Sequence, residues 1–280
     1  MTTPARTTPV DLWHHYGRTR GATDRAVPDR FCWNWAQDGG PGVEILGDLA
    51  GRCIVDLGSG AGRHSAHLAA HHRPTLVDAV DASPAQHAMA LDLFGHLAPV
   101  LRPIQADVTR HLFERPSFYD IAYSVFGAVD FTDPHRLLPA IADALCPGGL
   151  LVIATLGHYL TGVPAEPDAV PAEIPARTPE GAGATLRRWV LQEHVWTELL
   201  DQAGFTGTTV ERLPSAVTGP RTADTLLLRC KTGGARVRTA TGLAPLRLPA
   251  HAVDSAGPRA PGLPPLRCEP PGRRPSCRAW

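Results

Sequence analysis

The sequence predicts an α/β fold, a mostly parallel sheet with helices on both faces. Three observations carry this. Short apolar runs at 53–57, 76–80, 101–105, 118–125 and 150–154 read as strands buried on both sides. Segments with helical spacing of apolar residues lie between them. A glycine-rich turn, Gly58-Ser59-Gly60-Ala61-Gly62, joins the first run to the first helix.

At 280 residues the chain is long enough for one large domain with appendages. Formal charge is zero but uneven: eight arginines against Asp254 and Glu269 put residues 233–280 at +6, leaving the rest at −6. An acidic body argues against a nucleic-acid partner, which needs a basic face. Lysine occurs once, at Lys231, while Arg, Ala, Gly and Pro abound, which points to a GC-rich bacterial gene. The cysteines at 32, 53, 146, 230, 268 and 277 form no C-x-x-C pair, and no zinc-type His spacing occurs. No metal is therefore expected, and a reducing cytoplasm is the natural setting. The Thr- and Pro-rich first ten residues have no apolar signal region, and no apolar run is long enough for a membrane.

Residues 1–45 precede the first strand. Asp11 to Tyr16 is expected to open a short helix, and Phe31, Trp33 and Trp35 form an aromatic group. Gly39-Gly40-Pro41-Gly42 breaks the chain before a short helix at 43–49. Then comes the glycine turn. A nicotinamide-binding turn spaces its glycines G-x-G-x-x-G. Here the spacing is G-x-G-x-G, and Asp56 stands two residues before the first glycine. An acid there would repel a pyrophosphate but suits the cationic end of an amino acid. The helix N-terminus that follows favours a carboxylate.

Asp56-Leu57-Gly58-Ser59-Gly60-Ala61-Gly62 closely resembles the first motif of the class I S-adenosylmethionine-dependent methyltransferases. The resemblance covers about residues 46–232. It implies S-adenosyl-L-methionine as cofactor and a Rossmann-like, seven-stranded, mostly parallel sheet under an N-terminal lid. Asp56, Gly58, Ser59, Gly60 and Gly62 would hold the methionine end. The second strand ends in Asp81, whose carboxylate suits two ribose hydroxyls or else lies in an ordinary surface turn. Ser83 reads as an N-cap, Pro84 as the first helical residue, and Gln86 as the partner in a capping box. Ala82 and Gln86 join the cofactor set. Asp107 would accept from the adenine amino group, with the Val108 backbone reading the ring; Asp107 also fits a helix cap. Tyr16, Trp33 and Trp35 are candidate lid contacts, or Trp33 and Trp35 simply pack on the sheet.

The fourth strand ends in Ser124-Val125-Phe126-Gly127, which the open-sheet rule puts beside the reacting methyl group. The N/D/S-P-P-Y/F motif of enzymes that methylate base amines is absent. Asp133-Pro134 starts a helix with Leu137, Leu138, Ile141 and Leu145 on one face, ended by Cys146-Pro147-Gly148-Gly149 before the fifth strand. Prolines 164, 167, 171, 175 and 179 mark 157–186 as a loop over the site mouth. An amphipathic helix is expected over 186–203, followed by an antiparallel edge pair at 205–211 and 225–230. Residues 233–280 hold nine prolines and no core-forming pattern, so a disordered extension is expected.

The resemblance implies methyl transfer to a small-molecule acceptor, as in the branch of ubiquinone/menaquinone-biosynthesis and natural-product tailoring enzymes. The attacking atom is oxygen, nitrogen or carbon. Candidate general bases are His158, then His194, then His14 or His15, each of which also reads as a surface histidine. Phe126, Tyr159 and Trp196 are the candidate acceptor pocket. The alternative is a non-catalytic module that binds the cofactor beside a partner enzyme. The acceptor's identity and the oligomeric state, a homodimer among the options, stay open.

Overall fold

The computed structural model describes residues 11–15, 25–215 and 221–233. The expectations for Tyr16 and for the tail beyond residue 233 lie outside them.

The sheet grows outward from β1 (Cys53–Leu57), whose residues from Ile54 on are all buried. On one side β1 pairs in parallel with β2 (Leu76–Asp81), and β2 with β3 (Leu101–Gln105). On the other side lie β4 (Tyr119–Val125) and β5 (Leu145–Leu156), also parallel. Two further strands, β8 (Phe205–Leu213) and β9 (Thr225–Thr232), complete seven in the order β3-β2-β1-β4-β5-β9-β8. The crossover direction reverses between β1 and β4, so the crevice outside their carboxyl ends is where a ligand belongs.

Side chains alternate across the sheet and feed two cores. Val55, Leu57 and Ala122 face α3 (Val108–Phe113), α5 (Pro134–Ala144) and α6 (Glu193–Gln202). Ile54, Val77 and Tyr123 face α1 (Arg63–His71), α2 (Pro84–Phe94) and the segment carrying Phe31 and Trp33. Trp33 is fully buried and donates to Gly42 O, so it packs the segment on the sheet. A short helix, α4 (Ala128–Phe131), follows β4.

One buried charge ties four elements together. Asp78 of β2 is wholly buried and accepts two bonds from Arg102, at 2.7 and 2.9 Å, and one from Tyr119 at 2.6 Å. The Tyr119 oxygen in turn lies 2.7 Å from His111 Nε2 on α3. Burial alone would raise the Asp78 pKa, but these partners outweigh it and hold the carboxyl at about 2.

Several expectations need correction. Residues 157–186 are not a plain loop: β6 (Ala172–Arg177) and β7 (Gly183–Arg188) form an antiparallel two-stranded sheet of their own. Pro175 is tolerated there because a two-stranded ribbon leaves every strand with a free edge. The helix expected from 186 begins only at Glu193, since Leu186 to Arg188 belong to β7. Of the last two strands, only β8 is an edge; β9 is inserted antiparallel between β5 and β8. Asp11 to His15 form a turn, and the helix expected at 43–49 is one 3-10 turn, Val43–Leu46. Trp196 does not line a pocket: it is fully buried in the core among Leu199, Leu200 and the sheet. No helix among the described residues is long and apolar enough to cross a membrane.

Trp196→Ala should therefore lower stability by about 3–5 kcal/mol, the range for emptying an aromatic core site. Urea unfolding monitored by circular dichroism measures it, and ligand affinity of the folded fraction should be unchanged.

Candidate active site

The glycine turn sits at the reversal point. Gly58, Gly60 and Gly62 have φ of 81°, 55° and 75°, a region that side chains with a Cβ rarely occupy. Gly58 is also required for space. A Cβ on it would stand 2.2 Å from Ala128 N, and one on Gly127 would stand 2.4 Å from Leu57 O. The end of β1 and the turn into α4 thus touch backbone to backbone. Ser124 is buried and holds this contact by donating to Leu57 O at 2.9 Å. Gly58 and Ser59 amides both donate to Val80 O, which draws the turn towards β2.

The acids of the sequence reading fall in distinct places. Asp81 accepts from Gly60 N and Ser83 N, both at 2.8 Å. Burial first, and then Asp11, raises its pKa. Asp56 is buried and accepts from Ser65 Oγ at 2.6 Å and from Tyr123 OH at 2.9 Å. Burial outweighs those bonds and pushes its carboxyl up to about 7. Asp107 caps α3 by accepting from Arg110 N, one of its two expected roles. Ser83 caps α2 through Gln86 N, but the capping box does not close. The Ser83 amide goes to Asp81, and the Gln86 side chain donates to Trp13 O.

Sequence reasoning missed Asp11. Its Oδ2 accepts from Ser83 Oγ and Ala85 N, so the N-terminal segment is fastened to the start of α2. Trp13 then lies edge-on to Phe131 of α4, with centroids 4.5 Å apart. The described part of residues 1–45 therefore meets both α2 and α4 beside the glycine turn.

Beyond β4 the side chains change character. Phe126 adopts φ of 49° and packs edge-on to Trp35 at 5.1 Å. Arg188, at the end of β7, is 5% exposed; its guanidinium lies 5.6 Å from the Trp35 ring centre and 5.1 Å from that of Phe131. It donates to Asp130 Oδ2 at 2.6 Å, while Arg188 Nε and Asp130 Oδ1 have no partner among the described residues. Buried polar atoms without partners are uncommon and mark a place worth explaining. Nothing in the sequence singled out this pair, because neither residue sits in a motif. Tyr159 donates to Glu166 Oε1 at 2.9 Å, and burial and that carboxylate raise its pKa.

The histidine candidates fare unequally. His158 Nδ1 is 2.9 Å from Tyr159 O, and its Nε2 accepts from Asp224 N at 3.3 Å. Both ring nitrogens serve the backbone, which corrects the expectation of a general base there. His194 is exposed on the first turn of α6 and lines a cleft of about 490 Å³ with His158 and Arg212.

Asp56 predicts a pH dependence. The folded chain holds this proton more tightly than the unfolded chain, so stability falls as pH rises from about 4 to about 7. Burial lowers the His64 pKa to about 4, which gives the opposite slope below pH 6.5. Asp56→Asn removes the first effect and keeps the second. The melting temperature of the variant, relative to wild type, should rise across pH 4–7 and then level off.

The family model described as a methyltransferase domain matches residues 54–149. No curated protein matches the chain. A crystal structure from Listeria monocytogenes, described as an S-adenosylmethionine-dependent methyltransferase, is 15% identical, with 68% of this chain and 94% of that one covered at a TM-score of 0.51. Phosphoethanolamine N-methyltransferase 2 of Haemonchus contortus, in complex with S-adenosyl-L-methionine, is 14% identical, with 68% and 51% covered at a TM-score of 0.51. At such identities the likeness is one of fold. Residues 54–149 thus match the methyltransferase-domain family, and the sheet around them has the fold of S-adenosylmethionine-dependent methyltransferases.

Proposed function

We propose that the chain moves a methyl group from S-adenosyl-L-methionine to a small-molecule acceptor held between the sheet and the β6–β7 hairpin. The observation that carries this is the pairing of the left-handed glycine turn with Asp81 at the reversal point. The residues fit the cofactor. Gly58 to Gly62 present backbone without side chains, as close approach requires. A carboxylate has about four lone-pair sites, and amides take two of those on Asp81, which leaves sites for two ribose hydroxyls. Asp107 and Val108 would take the adenine end, and Asp56, beside Ser65 and Tyr123, would support the turn at the amino end. Bound there, the cofactor supplies an electrophilic methyl group that an acceptor atom displaces in line.

The protein's part is alignment, which can supply roughly 7–11 kcal/mol of a barrier. Phe126, Trp35 and Tyr159 offer an apolar wall for the acceptor. Arg188 and Asp130 behind them offer one unused donor and one unused acceptor. With His158 committed to the backbone, catalysis rests on positioning. Of the described residues, 11–15 and 25–35 act as the lid. Trp13 and Trp35 flank Phe131 and Phe126, so cofactor and acceptor would both enter beneath it. An acceptor of natural-product type is favoured by this aromatic wall and by the acidic body of the chain.

Calorimetric titration of S-adenosylhomocysteine into wild type and Asp81→Ala tests the cofactor pose. Roughly tenfold weaker binding by the variant, about 1.4 kcal/mol, is the expected result. No binding by wild type overturns the assignment of residues 54–81. Tight binding without turnover over a broad acceptor panel overturns the enzymatic reading.

A further inference from the structure

Four histidines run along one side of α1 to its C-cap, at 64, 67, 71 and 72. His67 is 5% exposed, and its Nδ1 is 2.7 Å from Pro28 O. A carbonyl only accepts, so that nitrogen carries the proton and Nε2 accepts from His72 Nε2, whose proton a bound ion would displace to Nδ1 or to solvent. Nε2 of His72 stands 3.2 Å from it. The exposed His71 ring lies 5.0 Å from the His67 ring. All three border a cleft of about 560 Å³ that Asp29 and Glu44 also line.

We infer that His67 and His72 form a chelating pair for a divalent transition-metal ion. Zinc binds imidazole nitrogen at roughly 2.0–2.1 Å. Two such bonds to nitrogens 3.2 Å apart subtend about 100° at the metal, close to tetrahedral. The bond from His67 Nδ1 to a backbone carbonyl is the support that metal-bound imidazoles ordinarily have. Burial and the neighbouring rings lower the pKa of both His67 and His72, so both are neutral and able to bind at pH 7. Among the described residues no set of three His, Cys, Asp or Glu converges on one point. The third position falls to His71 after a rotation of its exposed ring, and the fourth to water. Such an ion would lie at the opposite end of α1 from the glycine turn. It would fasten that helix to the segment at Pro28, which His64 also holds through Cys32 O. The site is distinct from the one proposed for methyl transfer.

The test is calorimetric titration of zinc chloride into the untagged, chelator-treated full chain. The inference expects one saturable ion per chain that raises the melting temperature of wild type. His72→Ala should bind roughly tenfold or more weakly and lose that rise, while a His14→Ala, His15→Ala double variant keeps both. Should His72→Ala fail to fold, His72→Gln replaces it. Copper(II) should bind more tightly than zinc, as nitrogen ligands prefer. Absence of saturable binding by wild type, or affinity unchanged by the loss of the His72 imidazole, overturns the inference. Neither result bears on S-adenosylhomocysteine binding.

Discussion

The structure depends on one backbone contact. Gly58 and Gly127 meet at the point where the sheet reverses, with room for neither Cβ. This brings the ends of β1 and β4 as close as two chains can come, and Ser124 locks them by a hydrogen bond to Leu57 O. Everything placed around the crevice takes its position from that contact. The glycine turn is pressed from one side by α4 and drawn by Val80 O from the other. Asp81, through Gly60 N, then fixes the turn's outer edge. The site is thus held by main-chain contact, with the Ser124 and Asp81 side chains as its ties.

Much of this was legible in the sequence. Left-handed glycines in a G-x-G-x-G turn, apolar strands buried on both faces, and the Ser83-Pro84 and Asp133-Pro134 helix starts rely on local chemistry, and local chemistry is written in local residues. What failed was non-local. Leu186, Trp189 and Val190 fit a helical spacing and a strand spacing equally, and pairing with β6 decided for the strand up to Arg188. Trp196 looked like a pocket residue because nothing in its neighbourhood says which side of a helix the sheet will cover. His158 looked free until Asp224, 66 residues away, donated to it. The Asp130–Arg188 pair spans 58 residues and has no motif at either end.

That pair gives the acceptor side its character. Two charges this deeply buried cost desolvation energy that their attraction offsets only with good geometry. Trp35 and Phe131 supply part of the offset by facing the guanidinium with their rings. The β6–β7 ribbon places Arg188 there, and Trp189 N binds Asp130 O to anchor the ribbon's return. A hairpin inserted between β5 and α6 thus acts as more than a connection: it delivers a charged side chain to the mouth of the site.

The place of β9 has a consequence for how the chain is made. Strands β1 to β5 pair with neighbours already synthesised, apart from the short crossovers that bring them side by side. The eighth strand cannot. It has no partner in the sheet except β9, which leaves the ribosome later and must slide in against β5 before β8 can join. Until residues 225–232 emerge, β5 presents an open row of unpaired N–H and C=O groups to solvent, the kind of edge that invites pairing with another chain. A nascent chain held at that stage is therefore the form of this protein most in need of a chaperone, and β9 is the strand that makes it safe.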